Sequence, residues 1–318
     1  SLPLACVAMG ADVLEYPPHI SQAVAADRRW ESAGSLGPRQ RLIQQMKWHF
    51  FRHQVRRTLR ASQLVTGDNL ELVRAVRDWF HIHPDRLQLN RWGIEPELFQ
   101  ADLTLQEKLR QQMKLDPGQR MILSPRGLKP VYQADVVLGG FQRLLEAGDS
   151  QTKLVVMGTG YQTPPHLDQW AHELHQKYPN FHYQRDLLPR EWMPQLWQIT
   201  DAFVNLPAYD GFSNALNEGR YAGAVPIVND IPAHREVCED GIHAYYLDEA
   251  TADGLASYLQ GLIPRLDSAK ALLAAQNQQW VKAQAVLLPN MKKMREWMQD
   301  LLEGADYKLT TYRIFLKI

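Results

Sequence analysis

The residues best suited to chemistry lie where a short apolar run gives way to a polar loop and then to a helix. Asp210 and Gly211 stand in the loop, and Phe212, Ser213 and Asn214 follow at the predicted start of the helix. A glycine lets a ligand approach the backbone closely. The first amides of a helix have no partner within it, so they can donate hydrogen bonds to an anion. The segment therefore predicts a turn that binds an anion.

Two carboxylates flank this turn. Glu218 follows Asn214 by one helical turn on the same face, where a carboxylate suits the paired hydroxyls of a ribose. Asp210, in the loop, could reach a sugar. A simpler explanation is that Asp210 caps the helix and Glu218 is solvated. Taken alone, the segment favours that simpler explanation.

A second polar loop follows the apolar run 121–124. It contains Arg126 and Lys129, which could converge on a diphosphate, the arginine through a forked contact and the lysine as a point charge. The alternative is two solvated surface cations, which is the commoner state of basic residues. A third turn, with Gly158 and Gly160, is a weak signal because the Gly-x-Gly pattern has many false positives.

Composition excludes several classes of function. The chain has 318 residues with 35 basic and 35 acidic side chains, so no global field favours nucleic acid as a partner. Its 2 cysteines are too few for a disulfide framework, and its 11 histidines form no metal-binding pattern, so we expect no metal site. No apolar run reaches the ~18 residues of a spanning helix. We expect a cytoplasmic protein. Because the chain opens on a predicted core strand without Met, we also expect a fragment of a longer protein.

The elements that must position these loops follow from hydrophobic spacing. From about residue 120 onward, short apolar runs alternate with amphipathic helices, which predicts βαβ units and a parallel sheet. Ligands bind such sheets at the carboxyl ends of the strands. The predicted strands are 121–124, 154–158, 181–183, 202–206, 225–228 and 244–247, and the predicted helices are 135–145, 166–177, 190–200 and 212–222.

The N-terminal part resembles the later half of a doubly wound domain. Strands are predicted at 2–9, 64–66 and 86–90, and helices at 39–60 and 69–80. Residues 93–119, which contain Pro96 and the turn signal 116–118, are predicted to be a linker. We expect three parts: a partial N-terminal lobe (1–95), a second Rossmann-like domain (96–285), and a C-terminal helix with a tail (286–318), the helix packing across both lobes.

Several motifs in order resemble one enzyme family. Residues 209–219 (YDGFSNALNEG), followed by 222–228 (AGAVPIV), look like the Glu-x7-Glu signature of the retaining group 1 glycosyltransferases, which have the GT-B fold. Residues 89–99 are similar to the interdomain segment of that family, 154–160 to its strand and turn, and 239–244 to its Asp-Gly-x-x-Gly element. The resemblance covers the chain from residue 1 to about 302.

The resemblance implies an α/β protein with two Rossmann-like lobes, the first of them incomplete. It implies transfer of a sugar from a nucleotide-diphosphate donor, most simply UDP- or GDP-linked, to a sugar or lipid-linked acceptor. Retention of configuration and the absence of a cofactor or metal also follow from it. In this family Glu218 would bind the ribose, and Arg126 and Lys129 the diphosphate. Asp210 and the backbone of Gly211, Phe212, Ser213 and Asn214 would hold the transferred sugar.

Three departures from the family pattern limit this comparison. Asp210 stands where the signature has its first Glu. Met9 stands where many members have a His, although Asp12 is kept and would face the attacking hydroxyl. The opening strand and glycine-rich loop of the acceptor lobe are not in this sequence. A non-catalytic nucleotide-sugar-binding or scaffold subunit is therefore the rival hypothesis, with an isomerase or phosphorylase of the same fold as a nearer one.

The predicted helix 39–60 is basic and lies in a stretch without acidic residues. It could contact anionic lipid at the inner membrane surface, or an acidic polymer. The simpler alternative, slightly favoured, is an ordinary helix with Trp48, Phe51, Val55 and Leu59 facing the core. The basic residues of this helix are Arg39, Arg41, Lys47, Arg52, Arg56, Arg57 and Arg60.

Overall fold

The computed structural model describes residues 4–8, 38–158 and 163–303, and these divide into two compact units. The first unit contains residues 4–8, 38–92 and 287–303, and the second contains 93–158 and 163–286. Three features of the sequence analysis lie outside the described residues: Met9 with Asp12, the glycine turn at Gly160, and the tail after residue 303.

The first unit is built on a small parallel sheet. Its described strands are β1 (Ala5–Val7), β2 (Leu64–Gly67) and β3 (Leu87–Leu89), in the order β1-β2-β3. Its described helices are α1 (Pro38–Ala61), α2 (Leu70–Phe80) and, from the C-terminal end, α11 (Leu287–Glu303). Asn69 caps α2 by accepting a hydrogen bond from the amide of Leu72 at 2.8 Å. The predicted strands and helices of this region are confirmed within the described residues.

Helix α1 is only partly directed toward the core. Leu59 is buried and Val55 half-buried, as the packing explanation predicted, but Phe51 is 40% exposed. Phe51 shares the face of Val55 and Leu59 and lines a pocket with them, but it is not fully buried. The side chain of Trp48 lies outside the described part of the structure, so the prediction that it faces the core stays a prediction.

The second unit is built on a six-stranded parallel sheet with the order β6-β5-β4-β7-β8-β9. The strands are β4 (Arg120–Ser124), β5 (Thr152–Met157), β6 (Phe181–Gln184), β7 (Ala202–Asn205), β8 (Val225–Val228) and β9 (Tyr245–Tyr246). The helices are α3 (Leu103–Gln112), α4 (Ala134–Glu146), α5 (Pro165–Lys177), α6 (Met193–Gln198), α7 (Asn214–Ala222), α8 (Pro232–Val237), α9 (Ala252–Leu262) and α10 (Leu266–Gln284). The predicted parallel sheet is confirmed.

Both faces of this sheet are covered, which is typical of parallel sheets. Successive strand residues point to opposite faces, so Ile122 joins one apolar core and Leu123 the other. Helices α4, α5 and α9 contribute to the first core, and α3, α6 and α7 to the second. The sheet is thereby a rigid support for the loops at the carboxyl ends of its strands.

Four predictions about helices need correction. The predicted linker contains α3, because Leu105, Leu109 and Met113 recur every four residues and pack into the second core. The predicted helix 190–200 is a 3-10 turn (Arg190–Trp192) followed by the short helix α6. The helix of the signature segment begins at Asn214 rather than near residue 212. Helices α8, α9 and α10 were not predicted.

Within the described part of the chain, no helix is both long and apolar enough to cross a bilayer.

Candidate functional site

The two polar loops predicted to carry chemistry meet at the carboxyl ends of the two central strands of the second unit's sheet. Strand β4 pairs with β7, so the loop after each strand leaves the sheet beside the other. Arg126, in the first loop, forms a two-pronged salt bridge with Asp210 in the second. Its Nη1 lies 2.9 Å from Oδ2, and its Nη2 lies 3.4 Å from Oδ1. Nη1 also donates to the hydroxyl of Ser213 at 3.1 Å. A largely buried ion pair therefore joins the two loops.

The guanidinium of Arg126 remains charged in this setting. Its side chain is 19% exposed and that of Asp210 is 12% exposed. Burial lowers the pKa of Arg126, but the charge of Asp210 and the contact with Tyr132 more than offset this, so the pKa lies above its ordinary value. The guanidinium also stacks on the ring of Tyr132, 4.2 Å from its centroid. The site thus presents a fixed cation at the carboxyl end of β4.

Ser213, rather than Asp210, caps helix α7. Its hydroxyl accepts a hydrogen bond from the amide of Leu216 at 3.4 Å. Asp210 instead accepts from the amide of its neighbour Gly211 at 3.0 Å. The simpler explanation of Asp210 as the helix cap is therefore wrong.

The start of α7 also changes which amides can bind an anion. Because the helix begins at Asn214, the amides of its first turn are those of Asn214 and Ala215, and not that of Phe212. The side chain of Phe212 is buried in the second core, with its ring centroid 6.4 Å from that of Trp280. Phe212 therefore anchors the turn in the core.

Glu218 is half-buried and has a specific partner. The indole of Trp197, on α6, donates to its Oε2 at 2.9 Å. Burial raises the pKa of Glu218, while the bond from Trp197 and the charge of Arg190 oppose the rise. The alternative of a fully solvated Glu218 is therefore wrong. Trp197 was not predicted, since it lies 21 residues away along the chain.

Lys129 lies in the turn that adjoins the ion pair. Its amide donates to the carbonyl of Gly127 at 2.8 Å, and the amide of Ala208 donates to the carbonyl of Val131 at 2.7 Å. The second of these bonds ties the Lys129 turn to the loop that carries Asp210. The structure thus brings Arg126, Asp210 and Ser213 into contact and places Lys129 in the adjacent turn.

A buried polar chain beneath the loops escaped the sequence analysis. Asn205 ends β7, Asn229 follows β8, and the ring of His234 on α8 joins them. The signal that could have revealed it is a buried asparagine at the end of each of two apolar strands. Within the described ranges, the structure has no group of three or more His, Cys, Asp or Glu residues arranged to hold a metal ion.

Comparison with known proteins is consistent with this architecture. Residues 106–278, more than half of the chain, match the family model for "Glycosyl transferases group 1". No curated protein sequence matches the chain. Among solved structures, Anabaena Alr3699/HepE in complex with UDP and glucose superposes with a TM-score of 0.68 at 14% identity, over 93% of this chain and 71% of that chain.

Two other structures are similar over most of the chain. A glycosyltransferase from Rickettsia africae ESF-5 gives a TM-score of 0.68 at 14% identity, over 91% of this chain and 83% of that one. Sucrose-phosphate synthase (tll1590) from Thermosynechococcus elongatus gives 0.66 at 14% identity, over 80% and 62%. At these identities the structures establish the fold, and the family model establishes the family. The chain belongs to the group 1 glycosyl transferases and has their α/β GT-B fold.

Proposed function

We propose that this protein transfers a sugar from a nucleotide-diphosphate donor to a hydroxyl acceptor with retention of configuration, and that its second unit binds the donor. The observation that carries the proposal is the meeting of Arg126, Asp210 and Ser213 beside the first turn of α7. A largely buried cation next to a helix N-terminus suits a diphosphate. The similar Anabaena protein has been crystallised in complex with UDP-glucose, which supports a donor of this class.

Electrostatic stabilisation of the leaving diphosphate is the main catalytic contribution that we assign to this unit. Arg126 and Lys129 would bind the phosphate oxygens together with the first amides of α7. A diphosphate at Arg126 would compete with Asp210 for the guanidinium. Asp210 would then be released toward the transferred sugar, so we assign it a catalytic role in holding that sugar.

Glu218 is our candidate for the donor ribose. Trp197 donates to Oε2 and fixes the rotamer of the carboxylate, so we assign Oε1 to the ribose hydroxyls. We expect Glu218→Ala to abolish binding of UDP- or GDP-linked sugars in calorimetry. The matched control is Glu173→Ala, which removes an exposed carboxylate on α5 and should leave affinity unchanged. Donor affinity that survives Glu218→Ala would remove Glu218 from the site.

The acceptor side is assigned to Asp12, which we propose faces the attacking hydroxyl of a sugar or lipid-linked acceptor. Asp12→Asn should lower turnover without changing donor affinity, because the donor is held by the second unit. We also propose that no metal or other cofactor takes part. Turnover should then persist in excess chelator, and its loss with recovery on added Mg²⁺ would contradict this assignment.

Helix α1 supports a further proposal, peripheral contact with anionic lipid at the cytoplasmic face of the inner membrane. Ile43, Met46 and Phe50 recur at helical spacing and are 44%, 64% and 64% exposed. Exposed arginines share this helix, which has no acidic residue in its first turn. Apolar side chains beside cations favour an anionic bilayer surface.

The membrane proposal can be tested with the whole protein and vesicles that contain phosphatidylglycerol. We expect flotation with these vesicles and not with vesicles of phosphatidylcholine alone. Phe50→Ser with Met46→Ser should abolish flotation. Leu272→Ser, which alters an apolar residue of the second unit that is 57% exposed, is the control and should not. Binding that is insensitive to the α1 substitutions would contradict the proposal.

A further inference from the structure

A buried hydrogen-bonded chain lies beneath the loop that carries Asp210. His234 on α8 is 1% exposed. Its Nδ1 lies 2.8 Å from the backbone carbonyl oxygen of Asn229, and its Nε2 lies 3.1 Å from Nδ2 of Asn205. The imidazole therefore bridges the residue that ends β7 and the residue that follows β8.

The partners fix the tautomer of the ring. A carbonyl oxygen only accepts, so Nδ1 carries the proton and donates to Asn229, and Nε2 accepts from Asn205. Burial lowers the pKa of His234, which keeps the ring neutral. The charged groups that act on it are Asp210 and Asp230, which favour the protonated form, and Arg126, which opposes it.

The chain continues from the imidazole to the loop itself. The side-chain amide of Asn229 donates to the carbonyl of Pro207 at 2.7 Å, and the next residue, Ala208, donates its amide to Val131 at 2.7 Å. The base of the loop is thus held from one side by the His234 chain and from the other by the Lys129 turn. Asp210 follows Pro207 by three positions.

The hydrogen-bonded chain of Asn205, His234 and Asn229 leaves some buried polar atoms unpaired. The Oδ1 atoms of Asn205 and Asn229 are buried and have no hydrogen-bond partner among the described residues. Each unpaired buried acceptor destabilises a fold, so apolar side chains of the same volume would pack more favourably. A directional hydrogen bond, in contrast, fixes the position of the backbone that it reaches.

We propose that His234 is a positioning residue, which holds loop 207–211 in the conformation that places Asp210 and the first turn of α7 for the donor. The proposal rests on the function proposed above, since it concerns the same site. In this proposal His234 acts on the donor site through Asn229 and Pro207, and not by touching the substrate.

Three substitutions at His234 separate the two bonds of the ring. His234→Asn can keep the donor to Asn229, His234→Gln can keep the acceptor for Asn205, and His234→Phe removes both. Amide hydrogen exchange of Ala208 and Gly211 reports on the loop, and exchange of β5 amides reports on the rest of the sheet. Calorimetry with UDP-glucose, and steady-state kcat and KM for it, report on the donor.

We expect His234→Phe to speed exchange at Ala208 about tenfold and to weaken UDP-glucose binding by a similar factor. Of the two bonds that this variant loses, the one to Asn229 leads on to Pro207 and accounts for the effect on the loop. Exchange in β5 should not change. The donor KM should rise more than kcat falls. For His234→Asn, both exchange at Ala208 and UDP-glucose affinity should stay within about twofold of the wild type. For His234→Gln, both should lie near the values of the Phe variant, since only Asn keeps the bond that leads to Pro207.

If His234→Phe does not fold, the comparison of Asn with Gln decides the question. Equal exchange in those two variants, or wild-type exchange in all three, would overturn the proposal. An equal rise of exchange in β5 and at Ala208 would show a purely structural role and overturn it as well. The exchange data need no ligand, so a wild-type protein that binds no nucleotide sugar would refute the proposed function and leave this test intact.

Discussion

The salt bridge between Arg126 and Asp210 gives a prediction whose magnitude follows from burial. Two unit charges about 4 Å apart attract by about 4 kcal/mol at an effective dielectric constant near 20. Desolvation offsets part of this attraction. Because the two side chains are only 19% and 12% exposed, we expect a net coupling energy of about 2 to 3 kcal/mol.

The same unit supplies a matched control. Arg235 and Asp230 form an ion pair with a closer contact, but their side chains are 70% and 49% exposed. Exposed pairs contribute little because water screens the charges and two long side chains lose freedom. We therefore expect a much smaller coupling energy for this pair than for Arg126 with Asp210.

A double-mutant cycle with alanine at each position measures both couplings. The free energy of urea unfolding is compared for the wild type, each single variant and the double variant. Adding 1 M NaCl should lower the coupling of Arg235 with Asp230 more than that of Arg126 with Asp210. A coupling below about 1 kcal/mol for Arg126 with Asp210, or equal values for both pairs, would refute the argument from burial.

Three further predictions concern the second unit. Burial lowers the pKa of His182 to about 4, below its ordinary value of 6.5, so protonation favours the unfolded state. The contribution of neutral His182 to the free energy of unfolding should be fully present above about pH 6.5 and fall by about 3 kcal/mol as the pH approaches 4. His182→Leu should flatten the dependence of this free energy on pH between those values. In α7, a methyl group at Gly219 would lie 2.5 Å from the ring of Phe203, so Gly219→Ala should cost about 1 to 3 kcal/mol in urea unfolding. In α9, Gly261→Ala meets no atom within 4 Å and should stabilise the protein by up to about 1 kcal/mol. The reverse order of the two glycine variants would contradict the packing described.

The sheet of the second unit was predictable because each strand is a short apolar run between turn residues. Leu154 and Val155 are both fully buried, as a strand covered on two faces requires. Helix α3 was obscured because proline and glycine signals at both ends of residues 93–119 favoured a linker. Its own apolar spacing, Leu105, Leu109 and Met113, was the correct signal.

The site was predictable as separate residues and not as contacts. Arg126 and Asp210 lie 84 residues apart. They meet because β4 pairs with β5 on one side and with β7 on the other, so that β7 lies next to β4 in the sheet. Strand order of this kind depends on how the crossover helices pack, which local spacing does not encode. The bond from Trp197 to Glu218 depends likewise on the packing of α6 against α7.

The most direct test of the central claim, glycosyl transfer from a nucleotide sugar held at Arg126, is release of nucleoside diphosphate from a panel of donors. The full-length protein is incubated with UDP- and GDP-linked sugars and an acceptor mixture, and the free nucleotide is quantified beside the Arg126→Ala variant. We predict that the wild type releases nucleotide from at least one donor and that Arg126→Ala loses this release while the protein stays folded. Equal release by the folded variant, or binding of the donors without release by the wild type, would contradict the account.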